Sequence, residues 1–208
     1  MGDVFFERCD LCDAQARGIC GACCELLGSA PLPPGDLGLD HSFALFAYEG
    51  AGRELIHRLK FRHRRASLKP LTQALGRGLL HLELGSHTVV AVPAHAKRRR
   101  DRGFDLADLL AERLSTQLGL SRSYPLVRKD LGTQQHRGRV ARAEVTYQLC
   151  GPAGPRVLLV DDVVTTGATL RSCATALRSA GTEHIVAMTL AVTPDMSPTN
   201  LTRREATR

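Results

Sequence analysis

Apolar residues fall along this chain in two periods. Four β-favouring residues in a row, Val157-Leu158-Leu159-Val160, read as a strand buried on both faces of a parallel sheet. Thr88–Val92 (TVVAV), Phe43–Tyr48 (FALFAY) and Ile185–Val192 read as further strands. Helical spacing marks Gly52–Lys60 through Leu55 and Leu59, and Ala66–Glu83 through Leu68, Leu71, Leu75 and Leu79. It marks Asp105–Leu118 through Leu106, Leu109, Leu110 and Leu114, and a helical pattern starts again at Leu170. The pattern predicts one α/β domain. Two short strands, Tyr124–Val127 and Thr146–Leu149, flank Arg128–Arg142, a basic and polar stretch with almost no apolar residue. Such a stretch reads as a loop able to close over a ligand.

The ends of the pattern set the domain boundaries. Residues 1–27 hold a cysteine-rich module, and 28–40 a linker dense in Pro and Gly (GSAPLPPGDLG). The main domain is expected over 41–193, and a frayed polar tail over 194–208.

Chemistry concentrates after the strand at 157–160. Two carboxylates, Asp161 and Asp162, lead into Thr165-Thr166-Gly167-Ala168-Thr169 and then a helix. Small residues at a helix start leave backbone N–H groups open, and with the helix dipole these suit a phosphate. The acids cannot bind that phosphate. They can accept hydrogen bonds from sugar hydroxyls or help hold hydrated Mg2+. Vicinal hydroxyls beside a phosphate describe a ribose 5-phosphate. No G-K-[ST] follows, so this is no Walker A loop, and a single glycine excludes the Rossmann fingerprint.

A second candidate follows Thr88–Val92. Pro93-Ala94-His95 leads to Lys97-Arg98-Arg99-Arg100-Asp101-Arg102, where five of six residues are cations. A loop at the carboxyl end of a parallel strand is where α/β folds bind ligands, and this charge suits a pyrophosphate. Arg98, Arg99, Arg100 and Arg102 are also candidates for a nucleic-acid surface. The run Leu59–Arg65 (LKFRHRR) is a candidate lining for a phosphate pocket or a nucleic-acid groove, although a solvated helix end is the commoner explanation.

Near the start, Cys9-Asp-Leu-Cys12 and Cys20-Gly-Ala-Cys23 have the spacing of four thiolates around a structural Zn2+. So short a module cannot build a core, so the metal would supply its folding energy. Cys24 is a spare able to replace Cys23. Reduced thiols or a redox pair are the alternatives, and a redox role usually needs only one pair. A site with four cysteines is closed, which leaves it no catalytic role. Cys173 reads as a small core residue.

Composition narrows the class. The chain has 208 residues, 43% hydrophobic, 4% aromatic and without Trp, so packing rests on Leu, Val and Ala. A net charge of +7 and a pI near 9.3 permit contact with phosphates or nucleic acid without requiring it. No run of about 18 apolar residues is present and MGDVFFERCD lacks the features of a secretory signal, so a cytoplasmic protein without a membrane span is expected.

The stretch RVLLVDDVVTTGATL resembles the phosphoribosyl pyrophosphate (PRPP) motif of type I phosphoribosyltransferases. The resemblance implies their fold, a mostly parallel sheet flanked by helices, with a small N-terminal zinc-binding module added here. It implies PRPP and Mg2+ as ligands, with Asp161 and Asp162 on the ribose hydroxyls and Thr165–Thr169 on the 5-phosphate. Ala94, His95 and Lys97 would border the pyrophosphate. Arg128, Lys129, Gln134 and Arg137 would reach it from a mobile loop. Val163 and Val164 carry no proton-transfer group, so no general base is assigned. Transfer to an unidentified base or amine, with inversion at ribose C1, is the expected reaction.

Taken together, the two CxxC pairs, Leu59-Lys60-Phe61, Val92-Pro93 through Arg102-Gly103-Phe104, Thr133-Gln134 and the PRPP motif resemble the ComF family. That resemblance implies a link to DNA uptake in natural competence. Its implied partners are single-stranded DNA and other competence proteins such as a DNA-uptake helicase. A non-catalytic factor binding PRPP and single-stranded DNA, or a PRPP-sensing regulator, is the alternative. Scarce aromatics argue against a strong single-strand platform. The chain departs from the family at Asp105, where Asn is usual. It also lacks the leucine after Gln134 and a later asparagine.

Overall fold

The two most apolar strands lie side by side at the centre of the sheet. The computed structural model describes residues 7–28, 32, 37–62, 65–80, 82, 84–95, 100–130 and 145–194. Among the described residues these elements run in chain order: α1 (Gly21–Glu25), β1 (His41–Ala47), α2 (Gly50–Phe61), α3 (Leu68–Gly78), β2 (Thr88–Ala91), α4 (Leu106–Leu118), β3 (Arg122–Ser123), β4 (Leu126–Asp130), β5 (Val145–Leu149), β6 (Arg156–Val164), α5 (Ala168–Ser179) and β7 (His184–Val192). Strands β6 and β7 pair in parallel from Arg156↔His184 to Val164↔Val192, and every residue of β7 after His184 is buried. The five-stranded sheet has the order β1-β7-β6-β2-β3 and is parallel throughout. A separate antiparallel ribbon joins β4 to β5.

Alternation along each strand divides the core in two. Leu158, Val160, Val186 and Met188 cluster with Leu55, Leu59, Leu75, Leu110 and Leu114 of α2–α4. Val157, Leu159, Ile185 and Ala187 cluster with Leu170, Cys173 and Leu177 of α5. Helices therefore cover both faces, which is why the central strands read as continuous apolar runs.

The cysteine module packs on the domain. Cys9, Leu11 and Cys23 belong to the same apolar cluster as α2 and α3. The Asp10 carboxylate accepts the Ser67 N–H at 2.7 Å, and Arg58 faces Asp13 at 3.5 Å. Gly18 (φ +82) lies so close to Ala66 that a Cβ would sit 2.9 Å from its carbonyl oxygen, so only glycine fits. Leu32 and Leu37, inside the stretch expected as a linker, are buried in the second cluster.

Several element boundaries differ from the sequence expectation. The helix expected over Ala66–Glu83 is α3, Leu68–Gly78. Gly76 and Gly78 weaken its end, and the Phe43 ring occupies the space where a Gly78 side chain would be. Strand β6 continues through both acids to Val164, and α5 starts at Ala168 rather than Leu170. Arg128 and Lys129, expected in the loop, lie in β4 opposite Tyr147 and Thr146. Ladder hydrogen bonds, not apolar residues, extend that strand. The two-residue edge strand β3 was too short and polar to show a period. The rest of the expected flap, residues 131–144, and tail residues 195–208 lie outside the described residues.

Candidate functional site

All five parallel strands end at one edge, and in α/β sheets ligands bind in the crevice there. At that edge β6 delivers Asp161 and Asp162, and the chain turns through Thr165–Gly167 into α5. Gly167 stands at φ +71 before the helix, which favours glycine, and as N-cap it has no side chain to cap the helix; Thr166 Oγ1 accepts from the Ala168 N–H at a long 3.4 Å. The first turn holds no acid. Thr165–Leu170, with Asp161, Val163 and Val164, line a recess of ≈ 30 Å³ at the helix start. The turn is pinned from β7, because Thr193 Oγ1 donates to the Thr165 carbonyl at 2.7 Å and the Thr193 N–H to the Val164 carbonyl at 2.9 Å.

The recess adjoins a cleft of ≈ 270 Å³ whose lining includes Asp161, Asp162, Thr165, Thr169, Pro93, Ala94, His95, Arg102 and Arg128. Lys60, at the end of α2, places Nζ 2.6 Å from Asp162 Oδ1, and both side chains are only 16% exposed. The Tyr147 hydroxyl donates to the Pro93 carbonyl at 3.3 Å, and the Tyr147 N–H to Ser172 Oγ of α5 at 3.0 Å. Asp105 accepts from the Ala94 N–H at 3.0 Å and from the Ala107 N–H at 3.1 Å. Two aromatic contacts tie the neighbouring segments together. The Arg102 guanidinium lies 4.6 Å from the Phe61 ring centre, and the Arg65 guanidinium 3.9 Å from that of Phe104.

Charge in the cleft is balanced at close range. Lys60, Arg102 and Arg128 face Asp105, Asp161 and Asp162. Burial pushes the Asp161 carboxyl well above the usual carboxylate range, and the adjacent Asp162 adds to it. Burial also raises Asp105, more than the Ala94 N–H lowers it, with Asp162 adding repulsion. The Tyr147 hydroxyl is pushed up to about 12, chiefly by burial. A site of this kind holds a polyanion through cations and a helix start, while its acids accept from hydroxyls or ligate a hard cation.

Of the residues singled out in the sequence, Ala94, His95, Arg102, Arg128, Asp161, Asp162, Thr165 and Thr169 line this one cleft. Thr166, Gly167 and Ala168 line the adjoining recess. Lys129 is exposed and alternates away from Arg128 along β4, outside the cleft lining. Arg100 lines a neighbouring cleft of ≈ 640 Å³. Lys97, Arg98, Arg99, Gln134 and Arg137 lie outside the described residues. Sequence reasoning did not assign Tyr48, Asp105 or Tyr147 to the site. Asp105 carried one signal, its place directly after Arg102-Gly103-Phe104; the tyrosines carried none.

The cysteines form a second constellation. The sulfur atoms of Cys9, Cys12, Cys20 and Cys23 all lie within 4.8 Å of one another, with Cys12 and Cys20 at 3.6 Å. Four thiolates at the usual Zn–S distance of about 2.3 Å define a tetrahedron with edges of about 3.8 Å, so the set fits a metal. Backbone N–H groups of Leu11 and Cys20 point at Cys9 Sγ, each at 3.4 Å. Burial raises the Cys9 thiol, but N–H groups led by that of Cys20 outweigh it and bring it down to about 6. Burial and the neighbouring thiols push Cys23 up. The cluster could hold a metal ion.

Residues 84–203 match the family model of the phosphoribosyl transferase domain. The chain belongs to that family. Competence protein F of Haemophilus influenzae is 32% identical over 113 residues, covering 47% of this chain and 46% of the relative. DNA utilization protein YhgH of Escherichia coli K12 is 34% identical over 132 residues, 58% of each chain. Competence protein ComFC of Bacillus subtilis is 27% identical over 143 residues, covering 66% of this chain and 58% of the relative. The chain is phosphoribosyltransferase-like, and the relatives it is similar to carry the names of competence and DNA-utilization proteins. It spans about half the length of the curated relatives it matches. No helix among the described residues is long and apolar enough to cross a membrane.

Proposed function

We propose that this phosphoribosyltransferase-like chain binds PRPP and transfers its phosphoribosyl group to a nitrogen nucleophile, a base or an amine. One observation carries the reading. Asp161 lines both the helix-start recess and the cleft, and the cleft brings Asp162 together with the Pro93–His95 segment, Lys60 and Arg128. The set offers a partner to each group along PRPP. The 5-phosphate takes the recess, the ribose hydroxyls take the two carboxylates, and the pyrophosphate takes the side of Ala94, His95, Arg102 and Arg128.

In the transfer the C1–O bond breaks and its electron pair leaves with pyrophosphate. The nitrogen lone pair forms the new bond on the opposite face, and the nitrogen's proton departs through solvent. Asp161 and Asp162 orient the ribose and stabilise the positive charge that develops on its ring. Bound Mg2+ would neutralise pyrophosphate, and the carboxylates of Asp161 and Asp162 are the oxygen donors that would hold its waters. Structural Zn2+ would be held by Cys9, Cys12, Cys20 and Cys23, where it would fasten the module against α2.

Calorimetric titration of PRPP with Mg2+ tests the reading. Wild-type protein binds, and Asp161→Asn/Asp162→Asn loses affinity by at least a hundredfold while remaining folded. Absence of binding by folded, zinc-loaded wild-type protein sinks the proposal.

The names of the relatives favour a role in DNA uptake; a place in the cytoplasm and partners such as a helicase belong to the same proposal and rest on the sequence resemblance alone. An exposed Phe61 stacked with Arg102 offers one contact suited to a single strand. Binding to a single-stranded oligonucleotide that falls steeply with salt, and weakens on Arg100→Ala/Arg102→Ala, supports this role. Binding that these changes leave intact counts against it.

A further inference from the structure

The pyrophosphate-side segment is tied to its neighbours where it leaves the sheet. The Val92 N–H donates to the Val160 carbonyl at 2.8 Å, one residue beyond the end of β2. Past it, Pro93 is held through its carbonyl by the Tyr147 hydroxyl, and Ala94 through its N–H by Asp105. Asp105 is also the N-cap of α4, where its other oxygen accepts from the Ala107 N–H. An N-cap needs only one oxygen. Here the second reaches 11 residues back and fastens the segment to a helix anchored by the fully buried Leu110 and Leu114.

The position gives this link a consequence for binding. Asp105 lines both the ≈ 270 Å³ cleft and its ≈ 640 Å³ neighbour, so with Pro93 and Ala94 it forms the wall between them. The Ala94 N–H is turned into that wall. Contact with an anion on this side therefore falls to His95, Arg102 and Arg128, whose geometry depends on where the segment sits. Asp105 shares one lining with Asp162, Lys60 and the two arginines and the other with Asp108 and Arg100. A carboxylate beside a pyrophosphate site is unfavourable in charge. Its place there fits a role in holding backbone rather than in touching the ligand.

We propose that Asp105 is a positioning residue for the pyrophosphate end of the substrate, acting through the Ala94 N–H. The proposal rests on the PRPP reading of the cleft.

Serine at 105 separates the two roles. It is a good N-cap, but its single oxygen cannot serve Ala107 and Ala94 together. Two probes report separately on the two ends of the site, magnesium pyrophosphate and ribose 5-phosphate. In Asp105→Ser, affinity for magnesium pyrophosphate falls roughly tenfold or more, while affinity for ribose 5-phosphate stays within about twofold. Asp105→Asn, which keeps one acceptor and a cap, lies between. Amide exchange accelerates at Ala94 and not at Ala107. Unchanged magnesium pyrophosphate affinity in Asp105→Ser, with wild-type protein binding both probes, overturns the assignment of Asp105 alone. Wild-type protein that binds neither probe overturns the site reading and this proposal with it.

Discussion

The two edges of the parallel sheet use their polar groups in different ways. At the amino edge, Asp40 accepts the Ile185 N–H at 2.7 Å and pairs with Arg178 at 2.6 Å. His87 Nε2 and His184 Nδ1 lie 2.9 Å apart, and the tilted His41 ring centre lies 5.8 Å from that of His184. These groups pair mainly with one another, although His87 Nδ1 is buried without a hydrogen-bond partner among the described residues. At the carboxyl edge, Asp161, Asp162 and Asp105 crowd one cleft together with Lys60, Arg102 and Arg128. Two adjacent carboxylates in a partly buried cleft raise the folded state's energy, which a structure keeps where a ligand relieves it. The acid shifts show the contrast. Burial works against ionisation in both Asp40 and Asp161. At Asp40 the Ile185 N–H and Arg178 win and lower it, whereas at Asp161 the neighbouring Asp162 adds to the rise.

The largest expected effect that breaks this contrast comes from Lys60→Met. It leaves Asp162 facing Asp161 without its cation, and affinity for PRPP with Mg2+ falls by about 2 kcal/mol, roughly thirtyfold. Equal affinity in the calorimeter would remove Lys60 from the site. Next is Asp40→Ala, which strands the Ile185 N–H and Arg178. Urea unfolding should show a loss of about 1–2 kcal/mol, with PRPP affinity unchanged. A change in affinity instead would mean the two edges are coupled.

Acidification gives the smallest effect and the sharpest comparison. Burial lowers both His87 and His184 in the folded state, with Arg156 opposing the charged form further. Their stabilising contribution is present above the unfolded histidine value of about 6.5 and is lost as pH falls through the lowered folded values. Asp161, raised when folded, has the opposite sign. It costs stability at neutral pH, and that cost shrinks as pH falls toward the unfolded value. Thermal unfolding between pH 7.5 and 5.5 should therefore show a modest loss, up to about 1 kcal/mol, that is reduced in His87→Gln/His184→Gln. Asp161→Asn should melt higher than wild type at pH 7.5. An identical pH slope in the histidine variant would refute the assignment at the amino edge.

Much of the site was legible because its residues are contiguous. Asp161 through Thr169 specify a strand end, a turn and a helix start within one short stretch, and backbone geometry alone then builds the recess. The two CxxC pairs are legible for a similar reason, since ligand spacing is local. Asp105 was visible only as a departure from a family pattern, with no hint that it reached Ala94. Lys60 stood in a basic run whose function or solvation the run could not decide. Tyr48 and Tyr147 carried no signal, because a lone tyrosine on a strand looks the same in a core, on a surface or in a cleft.

By itself the sequence determined the elements that local pattern controls: central strands from continuous apolar runs, helices from leucine spacing, an anion turn from Gly167 and its hydroxyl neighbours, and a metal-binding set from four cysteines. Tertiary structure decided which of the charged groups meet. Lys60 and Asp162 are separated by 102 positions, and they touch because α2 ends over the same sheet edge as β6. Asp105 meets Ala94 because α4 starts where β2 ends. Arg128 enters the cleft, and Lys129 does not, because β4 pairs with β5 in a register that turns alternate side chains to opposite faces. Local pattern fixes what a segment becomes, since its hydrogen bonds and rotamers are near neighbours. Which distant charges pair depends on how whole elements pack, and that is set by the burial of apolar faces rather than by the charges themselves.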